Sequence, residues 1–320
     1  MTSNTAQPEF PIRGSVPVSV VILTLNEELN IADCLRSCAW CDDVHVVDSG
    51  SNDRTIEIAR EMGANTYYHP FESFGAQRNW AIDHTNAKHD WIFHLDADER
   101  FTPALVAEMA RVVGSNPREA GYSIASKLMF MGRWLKRTAG YPTYQMRFFH
   151  KTRMRFTDWG HGQRELTDGL VGTLEEPYLH YALSKGLVDF LDRHNTYSTK
   201  EALQALEAQR QPVNLSDLTT SDPVIRRRAL KNLSYRLPFR ATLRYWVTLW
   251  ILGAVCEGEP GRTYAALMHV YERMITLKIR VLRSNMRRQA KGSKDLFEVA
   301  PPALPGGKSS GVHSTNTTTP

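Results

Sequence analysis

The segment that decides the fold is WIFHLDADER, residues 91–100, in which a short apolar run ends in acidic residues. Residues 91–95 have the length and composition of a buried strand. Residues two apart on a strand point to the same side, so Asp96 and Asp98 are expected to face one ligand together. Two carboxylates at the end of a buried strand repel each other and lose hydration. A hard cation such as Mg2+ would offset both the repulsion and the lost hydration while also binding phosphate oxygens and water. The segment therefore predicts a metal–diphosphate site at the carboxyl edge of a sheet.

A simpler interpretation is that these acids cap the helix that follows them. Thr102 suits that role better, because Pro103 then occupies the first helical position and an apolar-periodic stretch follows. The acids are therefore not needed as caps. The D-x-D pattern is short enough to occur by chance, so on its own it leaves a functional and a structural interpretation equally open.

Two more strand-like segments precede this one, and polar residues follow each of them. Residues 18–23 and 44–47 are β-branched runs of strand length, separated by helix-like segments. This alternation is typical of βαβ units with a parallel sheet. Because parallel strands end at one edge, we expect a cluster there of Asn26, Glu27, Asp48, Ser49, Asp96 and Asp98. The sequence has no G-x-G-x-x-G motif after the first strand and no P-loop, which removes the main support for dinucleotide and NTPase interpretations.

Composition indicates an ordinary globular protein. Of the 320 residues, 42% are hydrophobic and 23% are charged. The four cysteines form neither a zinc pattern nor a persuasive disulfide framework, which suits a reducing compartment. The N-terminal residues lack the apolar core of a signal peptide, and no apolar run reaches the roughly 20 residues of a spanning helix. We therefore expect a cytoplasmic protein.

Charge is distributed unevenly along the chain. The net charge is +5, but residues 222–291 carry +11 and the remainder carries −6. Aromatic residues, including Tyr235, Phe239, Trp246 and Trp250, stand among these arginines and lysines. Such a surface can bind nucleic acid or an anionic bilayer, or can simply be solvated. Because no nucleic-acid-binding motif is present, we expect no nucleic-acid partner.

Three segments resemble the signature segments of family 2 glycosyltransferases. They are VVILTLNE at residues 20–27, VDSGSNDRT at residues 47–55 and LDADE at residues 95–99. Residues 18–199 are similar overall, most of all to lipopolysaccharide core glucosyltransferases of the WaaE/KdtX type. The resemblance implies a GT-A-like α/β fold with a mostly parallel sheet flanked by helices. It also implies a nucleotide-sugar donor, with a UDP-sugar expected first, a divalent cation (Mg2+ or Mn2+), and inversion at the sugar carbon.

The resemblance assigns roles to individual residues. Contacts to the nucleotide sugar are expected from Thr24, Asn26, Glu27, Asp48, Arg78 and Asp96. Many relatives carry a second acid where Ser49 stands here. Arg78 would contact a base carbonyl or a phosphate, and the alternative is a solvated helix charge. Asp96 and Asp98 together would hold the ribose and the metal–diphosphate.

The acceptor half needs one general base. Direct displacement at the anomeric carbon requires the acceptor hydroxyl to lose its proton, and a carboxylate can accept it. Glu165 matches the family position for this base, and the alternative is a surface glutamate after a glycine turn. Arg164 stands where the family has histidine, and His161 is expected to be a loop histidine that can touch the acceptor. His180 matches a family histidine that approaches the diphosphate or metal, with a core histidine as the alternative.

These observations predict four segments. They are a disordered N-terminus (1–16), a glycosyltransferase domain (17–208) with a nucleotide-sugar half (17–118) and an acceptor half (119–208), a basic amphipathic helical region (209–291) that docks on an anionic membrane surface, and a disordered tail (292–320). The expected function is inverting, metal-assisted sugar transfer to a lipid-linked or lipopolysaccharide-core acceptor. The expected location is peripheral, on the inner face of the cytoplasmic membrane. Two alternatives stay open: transfer to polyprenyl phosphate, and a non-catalytic sugar-nucleotide-binding or membrane scaffold protein.

Overall fold

The computed structural model describes residues 9–159, 162–210, 215–220, 223–237, 239–291, 297 and 299. The chain forms two compact units. The first unit comprises Met1–Asp192 and Thr242–His269, and the second unit comprises Arg193–Ala241 and Val270–Pro320. His161 and most of the two predicted disordered ends lie outside the described residues. The four-segment division therefore stays a prediction.

The N-terminal half of the first unit alternates strands with helices. In chain order it contains β1 (Val18–Thr24), α1 (Ile31–Ser37), β2 (Val44–Asp48), α2 (Thr55–Glu61), β3 (Asn65–Tyr68), α3 (Phe74–His84) and β4 (Trp91–Asp96). These strands run parallel in the order β3-β2-β1-β4. At their carboxyl ends Thr24 pairs with Asp48, and Leu23 pairs with Asp96. The predicted alternation and the shared edge are confirmed.

The sheet continues through most of the remaining strands of the first unit. They follow as β5 (Glu99–Arg100), α4 (Pro103–Gly114), β6 (Gly121–Phe130), β7 (Arg133–Trp134), β8 (Tyr144–His150), β9 (Arg155–Trp159), β10 (Gly162–Leu166), β11 (Val171–Thr173) and β12 (Tyr178–His180). Beyond β4 the order is β8-β6-β12-β5, with β8 antiparallel to both of its neighbours. β9 and β10 form a separate antiparallel hairpin.

The central strand β1 is buried on both faces. Val20, Val21 and Ile22 are fully buried. Val20 and Ile22 belong to the core that includes Leu105 of α4, whereas Val21 belongs to a second core with Ala81 of α3. A run of branched residues without polar alternation is typical of a parallel strand covered by helices on both sides.

The remaining secondary-structure elements of the described residues are helical. They are α5 (Gly186–Arg210), α6 (Pro223–Ser234), α7 (Arg240–Trp246) and α8 (Gly258–Ala290). Short 3-10 turns span Leu215–Leu218 and Ala254–Glu257, and a π-helical turn spans Val247–Ile251. Within the described residues, no helix combines the length and the apolar character needed to cross a membrane. The predicted α/β fold class with a helical C-terminal extension is confirmed.

Two helix starts test local sequence rules. Thr102 caps α4 by accepting the amide of Leu105 at 3.2 Å, with Pro103 in the first position, as predicted. The Gly-Glu-Pro-Gly string at residues 258–261 predicts a turn from sequence, and this prediction is wrong, because these residues are the first turn of α8. Proline is tolerated there, since the first amides of a helix have no intrahelical acceptor. A Cβ at Gly261 would clash with the carbonyl oxygen of Ala254, so the helix start packs tightly on the preceding turn.

Candidate active site

The loops after β1 and β2 are joined by hydrogen bonds, and we call residues 25–30 and 49–55 the paired loops. The amide of Asn26 donates to Ser51 Oγ at 2.7 Å, and Asn26 Oδ1 accepts the amide of Asn52 at 2.9 Å. Three further bonds join Glu27 and Glu28 to Asp53, Arg54 and Thr55. Asn26 has a φ of 55°, a left-handed conformation that asparagine tolerates better than most residues. The two loops therefore hold each other in one conformation.

Asp48 organises the second loop from the end of β2. Its buried carboxylate accepts the hydroxyl of Thr24 at 2.9 Å, the amides of Gly50 and Ser51 at 2.9 and 2.8 Å, and the Ser51 hydroxyl at 2.5 Å. Thr24, Asn26 and Asp48 thus lie together at the carboxyl edge of the sheet. Their hydrogen bonds shape the loops, and their contacts to a nucleotide stay predictions.

Glu27 is held by a lysine that lies 158 residues later in the chain. Its carboxylate accepts Asn30 Nδ2 and Lys185 Nζ, both at 2.7 Å. Lys185 also donates to the carbonyl of Asn26 at 3.1 Å. Burial raises the pKa of Glu27, although its bonds to Asn30 and Lys185 act in the opposite direction. Lys185 therefore fastens the first of the paired loops to the segment that precedes α5.

Two buried arginines hold the carboxylate of Asp96. Arg147 Nη2 lies 2.5 Å from Asp96 Oδ2, and Arg78 Nη2 lies 3.3 Å from Asp96 Oδ1. The same Arg147 nitrogen lies 2.5 Å from Glu99 Oε1, and Glu99 Oε2 accepts the amide of Asp96. The side chains of Arg78, Arg147 and Glu99 are at most 4% exposed, whereas that of Asp96 is 38% exposed. Asp96 is thus the member of this cluster that solvent or a ligand can reach.

The charges in this cluster balance one another. Burial alone would raise the pKa of Asp96, but Arg147 and Arg78 lower it below its usual value. Burial raises the pKa of Glu99 to about 7, although Arg147 opposes that shift. Burial and the neighbouring Arg147 lower the pKa of Arg78 to about 10. Asp96 is therefore ionised at neutral pH, and Arg147 favours the ionised form of Glu99 as well.

Asp98 lies in the turn after β4 and contacts His180 instead of the arginines. Asp98 Oδ2 is 3.4 Å from His180 Nε2, and the Asp98 carbonyl accepts the amide of Tyr181. Burial lowers the pKa of His180, but the hydrogen bond to Asp98 and the nearby charges of Asp98, Glu99 and Asp96 together outweigh burial and raise it. Among the described side chains, no group of three or more His, Cys, Asp or Glu residues can hold a metal ion. A carboxylate with an adjacent imidazole nevertheless fits a cation that takes its remaining ligands from diphosphate and water.

The β9–β10 hairpin carries Glu165. Glu165 is exposed and pairs with Phe156, so the two side chains share one face of the hairpin. The Phe156 ring centroid lies 5.9 Å from the Arg78 guanidinium carbon. Asn79 of α3 exchanges two hydrogen bonds with the Phe156 backbone, at 2.8 and 2.9 Å. The face that carries Glu165 is therefore anchored beside the group of Arg78, Arg147, Asp96 and Glu99, which we call the arginine cluster.

Sequence reasoning missed three residues of this site. Arg147, Glu99 and Lys185 contact predicted site residues through side chains that are at most 18% exposed. Arg147 interrupts the apolar part of β8, and Glu99 directly follows the D-x-D triplet, so both left a signal in the sequence. Lys185 left no such signal, because its partner lies 158 residues earlier in the chain.

Comparison with known protein families shows which family has a domain of this kind. The family model described as glycosyl transferase family 2 matches residues 19–164. Residues 19–164 form a family 2 glycosyltransferase domain. The match covers both paired loops, the arginine cluster and the β9–β10 hairpin as far as Arg164. The resemblance inferred from the three sequence segments is confirmed, and the protein is a glycosyltransferase.

Two curated relatives cover similar parts of this chain. One is named lipopolysaccharide core biosynthesis glycosyltransferase LpsC, from Rhizobium meliloti (strain 1021), and is 25% identical over 211 residues, which are 62% of this chain and 74% of the relative. The other is an uncharacterized glycosyltransferase of Rickettsia bellii, 27% identical over 213 residues, 62% of this chain and 70% of the relative. Among solved structures, Staphylococcus aureus TarS 1-349 in complex with UDP-GlcNAc has a TM-score of 0.40 and 14% identity, over 86% of this chain and 92% of that one.

Proposed function

We propose that this glycosyltransferase moves a sugar, with inversion, from a UDP-sugar to a lipid-linked or lipopolysaccharide-core glycan. The observation that carries the proposal is the carboxyl edge of the sheet in a family 2 domain. There the paired loops, the arginine-held Asp96 and the Asp98–His180 pair come together. The lipopolysaccharide acceptor is supported by the name of the LpsC relative. A membrane-associated acceptor also fits the +11 charge of residues 222–291.

In this proposal the donor binds across the paired loops. Thr24, Asn26 and Asp48 contact the nucleoside, with Arg78 reaching a phosphate or base oxygen. Asp98 and His180 would hold a divalent cation, Mg2+ or Mn2+, and such a cation would neutralise charge on the leaving diphosphate. Asp96 contacts the ribose, because both of its oxygens are fixed by guanidinium groups and its side chain stays open on one side.

Glu165 completes the reaction from the acceptor side. Its carboxylate takes the proton of the acceptor hydroxyl as that oxygen forms a bond to the anomeric carbon. The bond between the anomeric carbon and the diphosphate oxygen breaks on the opposite face, so the configuration inverts. The products are the glycosylated acceptor, the nucleoside diphosphate and one proton on Glu165.

The first test separates donor binding from transfer. We expect one nucleotide sugar among UDP-, GDP-, ADP- and CMP-sugars to raise the melting temperature in a manner that depends on Mn2+ or Mg2+. Asp98→Asn should abolish the metal-dependent part of that shift. Glu165→Gln should keep the shift but lower kcat for transfer to a glycolipid extract by about 100-fold or more.

Asp90→Asn is the matched control, because its side chain is 68% exposed just before the amino end of β4. This variant should change neither the melting shift nor kcat. A folded protein that no nucleotide sugar stabilises, or a Glu165→Gln variant with unchanged kcat, would contradict the proposal.

A further inference from the structure

An exposed apolar stripe runs along α7 and the π-helical turn of the first unit. Leu243, Trp246 and Trp250 follow a spacing of three and four residues, so they share one side of the helix. They are 51%, 51% and 65% exposed, and the adjacent Ile251 is 76% exposed. Single exposed apolar residues are common, but four large ones on one helical face mark an interaction surface.

Folding does not require these side chains to be apolar. The opposite side of the segment packs inward through Leu249 and Ala254, which contact Ala265 of α8 in a small core. Leu249 and Ala254 are 7% and 0% exposed. The segment is therefore anchored by one side, and the stripe is available on the other.

A basic turn lies directly beside this segment. Arg133 is exposed on the short strand β7, Lys136 and Arg137 are exposed in the turn that follows β7, and we call residues 133–137 the basic turn. Met131, between β6 and β7, is 55% exposed. None of these three cations forms an ion pair with a carboxylate of the described residues. The Arg137 guanidinium lies 3.1 Å from the position that a Cβ on Gly253 would occupy, two residues after Ile251.

Glu257 fixes the basic turn to the segment without cancelling its charge. Its carboxylate, in a residue that is 6% exposed, accepts the amides of Arg137 at 2.6 Å and Thr138 at 2.9 Å, together with the Thr138 hydroxyl. The Arg137 guanidinium is not a partner of Glu257 in these bonds. The turn thus presents three positive side chains next to the apolar stripe.

We propose that this surface docks the first unit on an anionic lipid bilayer. The docking face is defined by Leu243, Trp246, Trp250 and Ile251 together with Arg133, Lys136 and Arg137. Tryptophans and aliphatic residues beside unpaired cations match the boundary between acyl chains and anionic headgroups. This inference rests on the proposed function, because an acceptor carried by a lipid must be reached at the bilayer surface. It places the docking surface in the catalytic unit, partly outside the basic region predicted from sequence.

The test is flotation of the full-length protein with vesicles of phosphatidylcholine, alone or with 30% phosphatidylglycerol (about one lipid in three). Wild-type protein should float with the anionic vesicles and largely stay behind with the neutral ones. Trp250→Ser/Ile251→Ser should weaken partition at least about tenfold. Arg133→Gln/Lys136→Gln/Arg137→Gln should weaken it about 100-fold, since each basic residue near anionic lipid contributes roughly a factor of five.

Two control variants match these changes elsewhere on the first unit. Tyr68→Ser removes a side chain that is 69% exposed on the edge strand β3. Arg60→Gln/Arg111→Gln/Arg118→Gln removes three exposed charges outside the docking face. The Tyr68→Ser control should bind vesicles as wild type does, and the charge control should lose no more than about threefold.

Three outcomes would overturn the inference. The wild-type protein fails to float, the docking-face variants float as well as their controls, or those variants convert a dimer to a monomer in light scattering without changing flotation. The last result would make the face a contact between copies of the chain. The melting shift with nucleotide sugar is measured on the same variants and should not change. Loss of flotation with an intact donor shift therefore tests docking separately from the proposed function.

Discussion

Arg147 is the residue on which the geometry of Asp96 depends most. It is fully buried and lies 2.5 Å from both Asp96 and Glu99, two carboxylates that would otherwise repel each other. A buried charge that loses its only counter-charge is strongly destabilising, even where the intact pair contributes little net stability. The Arg147 guanidinium therefore offsets the repulsion between the two buried carboxylates. It also orients Asp96, the carboxylate that a ligand can reach.

Arg147→Met should lower the free energy of unfolding by about 3–5 kcal/mol, because Glu99 then stays buried beside Asp96 with no guanidinium between them. Arg147→Met/Glu99→Gln should recover a large part of that loss, since the second change removes the uncompensated charge. Urea denaturation of the two variants and of Glu99→Gln completes the cycle. A double variant no more stable than Arg147→Met would show that the buried carboxylate is not the cause.

The contact between α3 and the β9–β10 hairpin positions the strand that carries Glu165. Gly75, in the first turn of α3, donates its amide to Asp158 Oδ1 at 3.0 Å. A Cβ at Gly75 would lie 3.0 Å from that oxygen and 3.1 Å from the backbone of residues 157 and 158. The absence of a side chain at Gly75 therefore sets how closely β9 approaches α3. β9 pairs with β10, the strand that carries Glu165.

Gly75→Ala should push the hairpin away from α3. We expect a loss of about 1–3 kcal/mol in unfolding free energy and a fall in kcat for transfer, with little change in donor KM. Gly114→Ala is the matched control, because nothing lies within 4 Å of its Cβ position at the end of α4, and its stability should be unchanged or slightly higher. Equal effects of the two substitutions on kcat would refute the positioning role of Gly75.

The chain as a whole is built as two compact units. In the second unit, the ammonium group of Lys278 is bound by uncharged oxygens. Lys278 Nζ is surrounded by four oxygens, the Asn195 carbonyl and side chain, Ser198 Oγ and Thr199 Oγ1, all within 2.8 Å. No carboxylate is among these partners, and burial lowers the pKa of Lys278. Hydrogen bonds to a charged donor therefore join α5 to α8 inside the second unit.

Lys278→Met should loosen the second unit selectively. Four oxygen atoms lose a charged donor, at a cost of about 1.5–3 kcal/mol. Hydrogen exchange should accelerate in residues 193–210 and 270–290, whereas β1, β2 and β4 should keep their wild-type protection. Uniform acceleration along the whole chain would mean that the two units unfold as one cooperative body.

The sequence predicted best those features that are encoded locally. The strands around residues 18–23, 44–47 and 91–95, the Thr102 cap and the shared carboxyl edge all follow from short-range periodicity and capping chemistry. The turn expected at residues 258–261 was wrong because a Gly-Glu-Pro-Gly string suits a turn and a helix start equally, and packing on Ala254 decides between them. Arg147 could not be placed from sequence, since its partners lie 51 and 48 residues away.

The paired loops have a consequence for how enzymes of this type can diverge or be redesigned. Each loop supplies the hydrogen-bond acceptors for amides of the other, as Asn26 does for Asn52 and Ser51 does for Asn26. Transplanting one loop alone from a relative leaves backbone donors of its partner unmatched, and each such orphan costs about 1–3 kcal/mol where it is buried. Chimeras designed to change donor specificity should therefore receive residues 25–30 and 49–55 together from one relative. Substitutions in one loop should preserve stability only when compensating substitutions are made in the other.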